Sequence, residues 1–441
     1  MRIKNFEIKK LFGTFDYLFG IDPDDKFLIL TGLNGYGKTT ILNIINALST
    51  SDLFFFYRLP FDELRILFEE GFVIVIETIM LSNKGLLQTE GFEKPDVPVV
   101  GGKEVVFRWI GKNGEESQLS IDERAIRKSV RRIGYYRGHF EDSEIDSKEF
   151  YQFVKETPKV IETIAAEQNG SAFLLQLKSL NTVFVEAQRL FLPKGDDSDI
   201  HRLGFRANEH IASYTIDAVT AKIAKRLEEA RYKFLRFSQE KDNHFIDKLL
   251  NQSFQSFGKS DYGTLKEEVL SKILDLKDLG LVDDIKVHDY DGEHAEVLSA
   301  YLTDLREKIA VLDDVYKKAK LYLELIEEKD FTNKDVALSI TEGLKIKTKD
   351  GVFLNPTDLS SGEQNAIIML YYLIFEFDDD SLLLIDEPEI SLHIAWQYQF
   401  VNDLEKILAT KGGTAIIATH SPQIIAERWD KCYDLSEAGH E

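Results

Sequence analysis

The segment Gly32-Leu33-Asn34-Gly35-Tyr36-Gly37-Lys38-Thr39 constrains this chain more than any other. It fits G-x-x-x-x-G-K-[ST] and lies between an apolar run, Phe27-Leu28-Ile29-Leu30, and a stretch from Thr39 to Leu48 whose apolar positions fall at helical spacing. Strand, glycine loop and helix in that order call for an α/β fold. The glycines let backbone N–H groups turn inward around a phosphate, and the helix N-terminus adds its dipole. Lys38 then reaches the β- and γ-oxygens, and Thr39 can ligate Mg²⁺. Asn34, Gly35, Tyr36, Gly37, Lys38, Thr39 and Thr40 are the candidate nucleotide contacts.

A second apolar run, Leu382-Leu383-Leu384-Ile385, ends in Asp386-Glu387. A buried parallel strand delivers carboxylates in this way at its C-terminal tip. Asp386 is placed to hold Mg²⁺ with Thr39. Glu387, one residue on, is placed to orient and deprotonate the water that attacks a γ-phosphate. Upstream, Leu359-Ser360-Ser361-Gly362-Glu363-Gln364 opens a helix with small residues that allow close approach to a ligand.

These segments together carry a family resemblance. Leu359 to Gln364 resembles the signature loop of ABC-type ATPases, Asp386 to His393 (DEPEISLH) resembles their Walker B and D-loop, and Ile417 to Gln423 (IATHSPQ) resembles their switch-histidine strand. The resemblance covers roughly the first 50 and last 110 residues. It implies ATP and Mg²⁺ as ligands and a head-to-head homodimer in which the signature loop of one copy closes over nucleotide held by the other. Ser360, Ser361 and Gly362 would then supply the signature contacts, Ser391 and Leu392 would lie in the D-loop, and His420 would meet the γ-phosphate. Ser361 stands where a signature glycine is usual, and His393 where a D-loop aspartate is frequent. Gln188, with Arg189 beside it at the end of the strand-like Thr182 to Ala187, is the candidate Q-loop glutamine.

Periodicity divides the chain into an N-terminal half of the head (1–203), a helical or coiled-coil insertion (204–332) and a C-terminal half of the head (333–441). Arg2 to Ile8, Thr14 to Phe19, Phe72 to Ile79 and Val105 to Ile110 read as strands, and Asp62 to Glu69 as a helix. From Leu298 to Ile326 apolar residues keep an unbroken 4-3 spacing, a coiled-coil seam, with a weaker counterpart from Ile216 to Phe237; an ordinary helical bundle is the alternative.

Charge narrows the class. With 76 acidic residues against 54 Lys and Arg, the net charge of -22 opposes a broad duplex-binding surface. Local contact remains open at Arg124, Arg127, Lys128 and Arg131, which fall at helical spacing; a solvated face is the bland alternative. His288 to His294 contains metal-ligand types, but Asp291-Gly292 reads first as a turn between Ile285-Lys286-Val287 and Ala295-Glu296-Val297. One cysteine, no apolar leader at MRIKNFEIKK and no membrane-length apolar run lead to the expectation of a cytoplasmic protein.

Lys38 and Ser360 lie 322 positions apart, too far for the compact head of a transport ATPase. The insertion places the resemblance on the SMC/OLD side, and within it DEPEISLH followed by Trp396-Gln397, with ATHSPQII followed by Arg428-Trp429-Asp430, resembles the stand-alone ATPases of bacterial and phage-encoded anti-phage systems such as PARIS and Septu. The 21 residues after His420 leave no room for the Toprim nuclease of OLD proteins. The expected role is therefore a sensor or scaffold that controls a separate effector, a Toprim-like or HNH nuclease. A RecF-like DNA-repair ATPase that binds DNA directly is the alternative.

Overall fold

A computed structural model describes residues 2–80, 102–133, 147–186, 216–251, 256–377, 379 and 381–438. The chain forms two compact units, one of Met1–Ala187, Phe377–Ile390 and Ile394–Glu441, the other of Gln188–Glu376 and Ser391–His393.

The first unit contains two sheets. Strands β1 (Ile3–Leu11), β2 (Phe15–Phe19), β4 (Glu63–Phe68), β5 (Val73–Met80), β6 (Lys103–Ile110) and β7 (Glu116–Asp122) form an antiparallel sheet in the order β2-β1-β4-β5-β6-β7. Strands β3 (Phe27–Thr31), β8 (Thr182–Glu186), β12 (Leu382–Asp386), β13 (Thr414–Ala418) and β14 (Cys432–Asp434) form a parallel sheet in the order β14-β3-β13-β12-β8. Its three central strands are buried along almost their whole length, as expected of parallel strands covered on both faces. Burial of each Leu or Ile side chain there contributes about 1.5–3 kcal/mol.

Register matters for function. Asp386 pairs with Ala418 and with Glu186, and Ala418 pairs with Leu30, so β3, β8, β12 and β13 all end at one level. Helix α1 (Lys38–Ser49) leaves that edge and buries Ile41, Leu42, Ile44, Ile45 and Leu48. The unit is completed by α2 (Leu53–Arg58), α3 (Glu123–Ile133), α4 (Lys148–Glu156), α5 (Lys159–Glu167) and α6 (Ser171–Leu177).

The second unit carries α7 (Ile216–Asn251), α8 (Lys259–Asp278), α9 (Ala295–Ala310) and α10 (Asp313–Glu328). A three-stranded antiparallel sheet follows, β9 (Lys334–Ser339), β10 (Gly343–Thr348) and β11 (Phe353–Leu354), in the order β11-β10-β9, and then α11 (Ser361–Tyr371). Helices α12 (Ile394–Lys411), α13 (Pro422–Ile425) and α14 (Leu435–Ala438) belong to the first unit.

Three expectations need correction. Asp62 to Glu69 is not a helix: Glu63–Phe68 is β4, with Leu64, Ile66 and Phe68 buried in strict alternation. The 4-3 run is not one continuous coiled-coil helix, because α9 ends at Ala310 and α10 starts at Asp313. Leu302, Leu305, Ile309 and Leu312 are all buried, as the spacing predicts; past the break the fully buried positions are Ala319, Tyr322, Leu325 and Ile326, of which the spacing marks only Ala319 and Ile326. Asp313 and Asp314 in the first turn of α10 favour a fresh helix N-terminus. The residues flanking Asp291-Gly292 are not a strand pair, since Ala295 opens α9. The turn itself is present, with Asp291 accepting from the Glu293 N–H at 3.1 Å and facing His294 Nδ1 at 2.7 Å.

Gly343 shows how β10 is held against α7. It has φ +73°, and a Cβ there would collide with the carbonyl of Thr220. Gly343→Ala is expected to lower the melting temperature by several degrees, since both the left-handed backbone and the close approach are violated. A melt indistinguishable from wild type would contradict this packing.

Candidate nucleotide site

The edge shared by β3, β12 and β13 gathers the chemistry. After Thr31 the chain turns through Gly32 (φ +133°), Gly35 (φ +91°) and Gly37 (φ +88°), conformations that side chains rarely adopt. A Cβ on Gly37 would come within 3.1 Å of Leu11, whereas Gly35 faces open space. The loop is braced from below: Tyr17 donates to the Tyr36 carbonyl at 2.7 Å, and Phe15 packs on the Tyr36 ring. Asn34, Gly35 and Thr39 are exposed, while Thr40 is half-buried.

Lys38 is 6% exposed and folds back to donate to the Gly32 carbonyl at 2.7 Å and the Leu33 carbonyl at 3.3 Å. Burial lowers its pKa, opposed by the nearby carboxylates of Glu387, Asp386, Glu389 and Asp434. This is an ammonium held on weak neutral partners where an anion would serve it better.

Thr39 donates to Asp386 at 3.1 Å, which brings the end of the glycine-rich loop and the acidic tip of β12 together. Burial pushes the Asp386 carboxyl up to about 6; Thr39 opposes the shift, and Glu387, Glu186 and Glu389 add to it. The hydroxyl and carboxylate suit Mg²⁺, which takes few protein oxygens and completes its shell with phosphate and water. Because the folded pKa lies above the unfolded value, ionised Asp386 costs stability: the cost is absent below the ordinary carboxylate pKa and complete above about pH 6. Asp386→Asn is therefore expected to stabilise the nucleotide-free protein at pH 7.5 by about 1–2 kcal/mol, allowing for solvent screening. The check is a pair of melts at pH 7.5 and pH 4.5, where the gain should shrink; a lower melting temperature at pH 7.5 would contradict the assignment.

Glu387 has φ +48°, a strained value for a residue other than glycine, and its N–H donates to the Ala418 carbonyl at 2.8 Å. His420 follows β13, with Nδ1 3.7 Å from Glu387 and 3.4 Å from Glu389. Glu389, which no sequence signal marks as functional, accepts from the Thr419 hydroxyl at 2.8 Å and from the His420 N–H at 3.2 Å.

In the second unit, Ser360 caps α11. Its N–H and hydroxyl both donate to Glu363 at 2.8 Å, and Glu363 returns its N–H to the hydroxyl. Burial would raise the Glu363 pKa, but Lys334 at 2.7 Å and Ser360 hold it below the ordinary carboxylate range. Gln364 ties back to the Thr357 and Leu359 carbonyls. Ser360 and Ser361 remain exposed and Gly362 half-buried at a helix N-terminus rigidified from behind. Glu363→Ala should destabilise the fold by roughly 1–3 kcal/mol, because it leaves half-buried Lys334 without its carboxylate and the Ser360 donors without their acceptor; calorimetry checks this.

Gln188, the candidate Q-loop residue, lies outside the described residues, as does the neighbouring Arg189. Ser391, Leu392 and His393 follow Glu389 and Ile390 in the chain, at the end of a 3-10 turn spanning Pro388–Ser391. Among the described helices, none is long and apolar enough to cross a membrane.

The AAA ATPase domain family model matches residues 1–425. Protein ea59 of Escherichia phage lambda is 36% identical over 74 residues, 17% of this chain and 14% of ea59. A putative ABC transporter ATP-binding protein of Bacillus thuringiensis subsp. konkukian (strain 97-27) is 31% identical over 126 residues, 28% of this chain and 20% of that protein. The matched stretches thus span a fifth or less of these relatives. Among solved structures, the Smc head domain of Pyrococcus furiosus bound to the C-terminal domain of ScpA aligns over 96% of this chain and 91% of its own, at 14% identity and TM-score 0.34. The SMC head domain of Thermotoga maritima aligns over 98% and 94%, at 12% and 0.33. With a match over residues 1–425, the chain belongs to the AAA ATPase domain family.

Proposed function

We propose that this chain binds and hydrolyses ATP at sites completed by a second copy, and that the cycle controls a separate effector in anti-phage defence. The convergence of Lys38, Thr39, Asp386, Glu387 and His420 on one sheet edge carries the reading. Lys38 and the loop N–H groups bind the phosphates, Thr39 and Asp386 hold Mg²⁺, Glu387 takes a proton from the attacking water, and His420 steadies the γ-phosphate. Ser360, Ser361 and Gly362 sit at a capped helix N-terminus suited to receive the γ-phosphate of a partner copy's nucleotide. The resemblance to stand-alone defence ATPases supports the defence setting. The effector is taken to be a nuclease on the resemblance to those defence systems.

Expression with and without its native gene neighbours, followed by phage challenge, tests this reading. Protection that needs both the neighbours and intact Glu387 is expected. Protection by the chain alone, or protection indifferent to Glu387→Gln, would refute it.

A second reading, direct nucleic-acid contact, rests on one observation. Arg124, Arg127, Lys128, Arg131 and Arg132 on α3 line a single cleft whose acid is Glu167 of α5. Lys128 and Arg132 each pair with Glu167 at 2.7 Å and Arg127 with Glu123 at 2.8 Å, so part of the charge is already neutralised. Reversing Arg124 and Arg131 to Glu should reduce the salt slope of duplex-DNA binding by roughly two if both touch phosphates; an unchanged slope removes this reading.

A further inference from the structure

We infer that Glu389 is a positioning residue that fixes the switch histidine, tying the turn after Walker B to the end of β13. The inference rests on the reading of His420 as a γ-phosphate contact. The Glu389 side chain is only 9% exposed. One carboxylate oxygen accepts from the Thr419 hydroxyl at 2.8 Å; the other accepts from the His420 N–H at 3.2 Å and lies 3.4 Å from His420 Nδ1. Thr419 is fully buried, and its hydroxyl also accepts from the Ser421 N–H at 3.0 Å. A second tie runs in parallel: Gln397 on α12 donates to the Glu389 carbonyl at 3.1 Å and accepts from the Ser421 hydroxyl at 3.1 Å.

The His420 side chain, by contrast, is half exposed. Its placement therefore depends on the backbone and on the carboxylates beside Nδ1. Nδ1 lies on the side of these carboxylates, which leaves Nε2 as the ring atom turned toward a ligand. Glu389 thus sets the position of the ring, through the backbone N–H it holds and its carboxylate beside Nδ1. Pro388 and the short turn that follows hold this carboxylate immediately after Glu387, so a shift in the turn moves the base and the histidine together.

A glutamine cannot replace it. Its single amide oxygen satisfies one of the two donors and sets an NH₂ against the other. Glu389→Gln is expected to lower kcat by roughly 10- to 100-fold, the scale of an ångström-level misplacement, with ATP affinity within about twofold of wild type. Affinity is read with a fluorescent ATP analogue in the presence of Mg²⁺. His420→Ala should slow turnover similarly, and the double variant should be no slower than the slower single one, because both act through one group. Thr419→Ser should keep turnover, whereas Thr419→Val, which fills the same space without a donor, should lose it; melts on all variants separate misfolding from misplacement. If His420→Ala is slow but Glu389→Gln is fast, or if their losses multiply, the positioning role is overturned and the reading of His420 stands. If His420→Ala turns over at the wild-type rate, the reading of His420 fails and the inference falls with it.

Discussion

Glu387→Gln is expected to slow ATP turnover by roughly 10²- to 10⁴-fold while leaving ATP bound, the scale lost when a general base is removed. The geometry supports a specific cause. Glu387 is held in a left-handed conformation by its N–H bond to the Ala418 carbonyl, one residue beyond Asp386, which itself lies beside the Thr39 hydroxyl. Glutamine keeps the size and the backbone strain but cannot accept a proton from water. Single-turnover hydrolysis separates the chemical step from product release. A variant that binds ATP and hydrolyses it at the wild-type rate would show that another group is the base.

Lys38→Ala should act earlier, on binding. Removing one partner of a desolvated charge pair costs about 2–5 kcal/mol, or roughly 30- to several-thousand-fold in Kd. The same substitution should leave the nucleotide-free protein at least as stable as wild type. Burial already lowers the pKa of Lys38, and its partners there are two backbone carbonyls rather than an ion pair. Melting with and without ATP and Mg²⁺ reads both effects. Wild type should gain stability on adding nucleotide and Lys38→Ala should not. A nucleotide-dependent rise of equal size in the variant would remove Lys38 from the site.

The parallel sheet and its motif-bearing edge were legible because their signals are local: four or five consecutive apolar residues followed by Gly-rich or acidic tips can hardly be read another way. The antiparallel sheet was harder. Glu63 to Phe68 carries apolar residues at spacings that suit both periods, and the cross-strand partners that decide the matter, Ile8 on β1 and Ile76 on β5 against Leu64, lie far off in sequence. In the helical region the spacing identified the inward face of α9 but not the turn at Val311-Leu312, after which the buried positions of α10 shift to Ala319, Tyr322, Leu325 and Ile326. Glu389 illustrates the remaining gap. Nothing local distinguishes it from a surface glutamate, since its role arises from donors just past β13, some thirty positions away. Its only mark was adjacency to Walker B.

The shared site is the claim on which the rest depends, and mixing two inactive variants tests it most directly. Lys38→Ala removes the Walker A lysine and Ser360→Arg obstructs the signature loop, so each homodimer should be inactive. A mixed dimer retains one site in which intact Lys38 of one copy faces intact Ser360 of the other. With random pairing in an equal mixture, ATP turnover should recover to about a quarter of the wild-type rate per chain, half the dimers carrying one working site of two. No recovery in a mixture shown to form mixed dimers, or full activity of Ser360→Arg alone, would contradict the shared site.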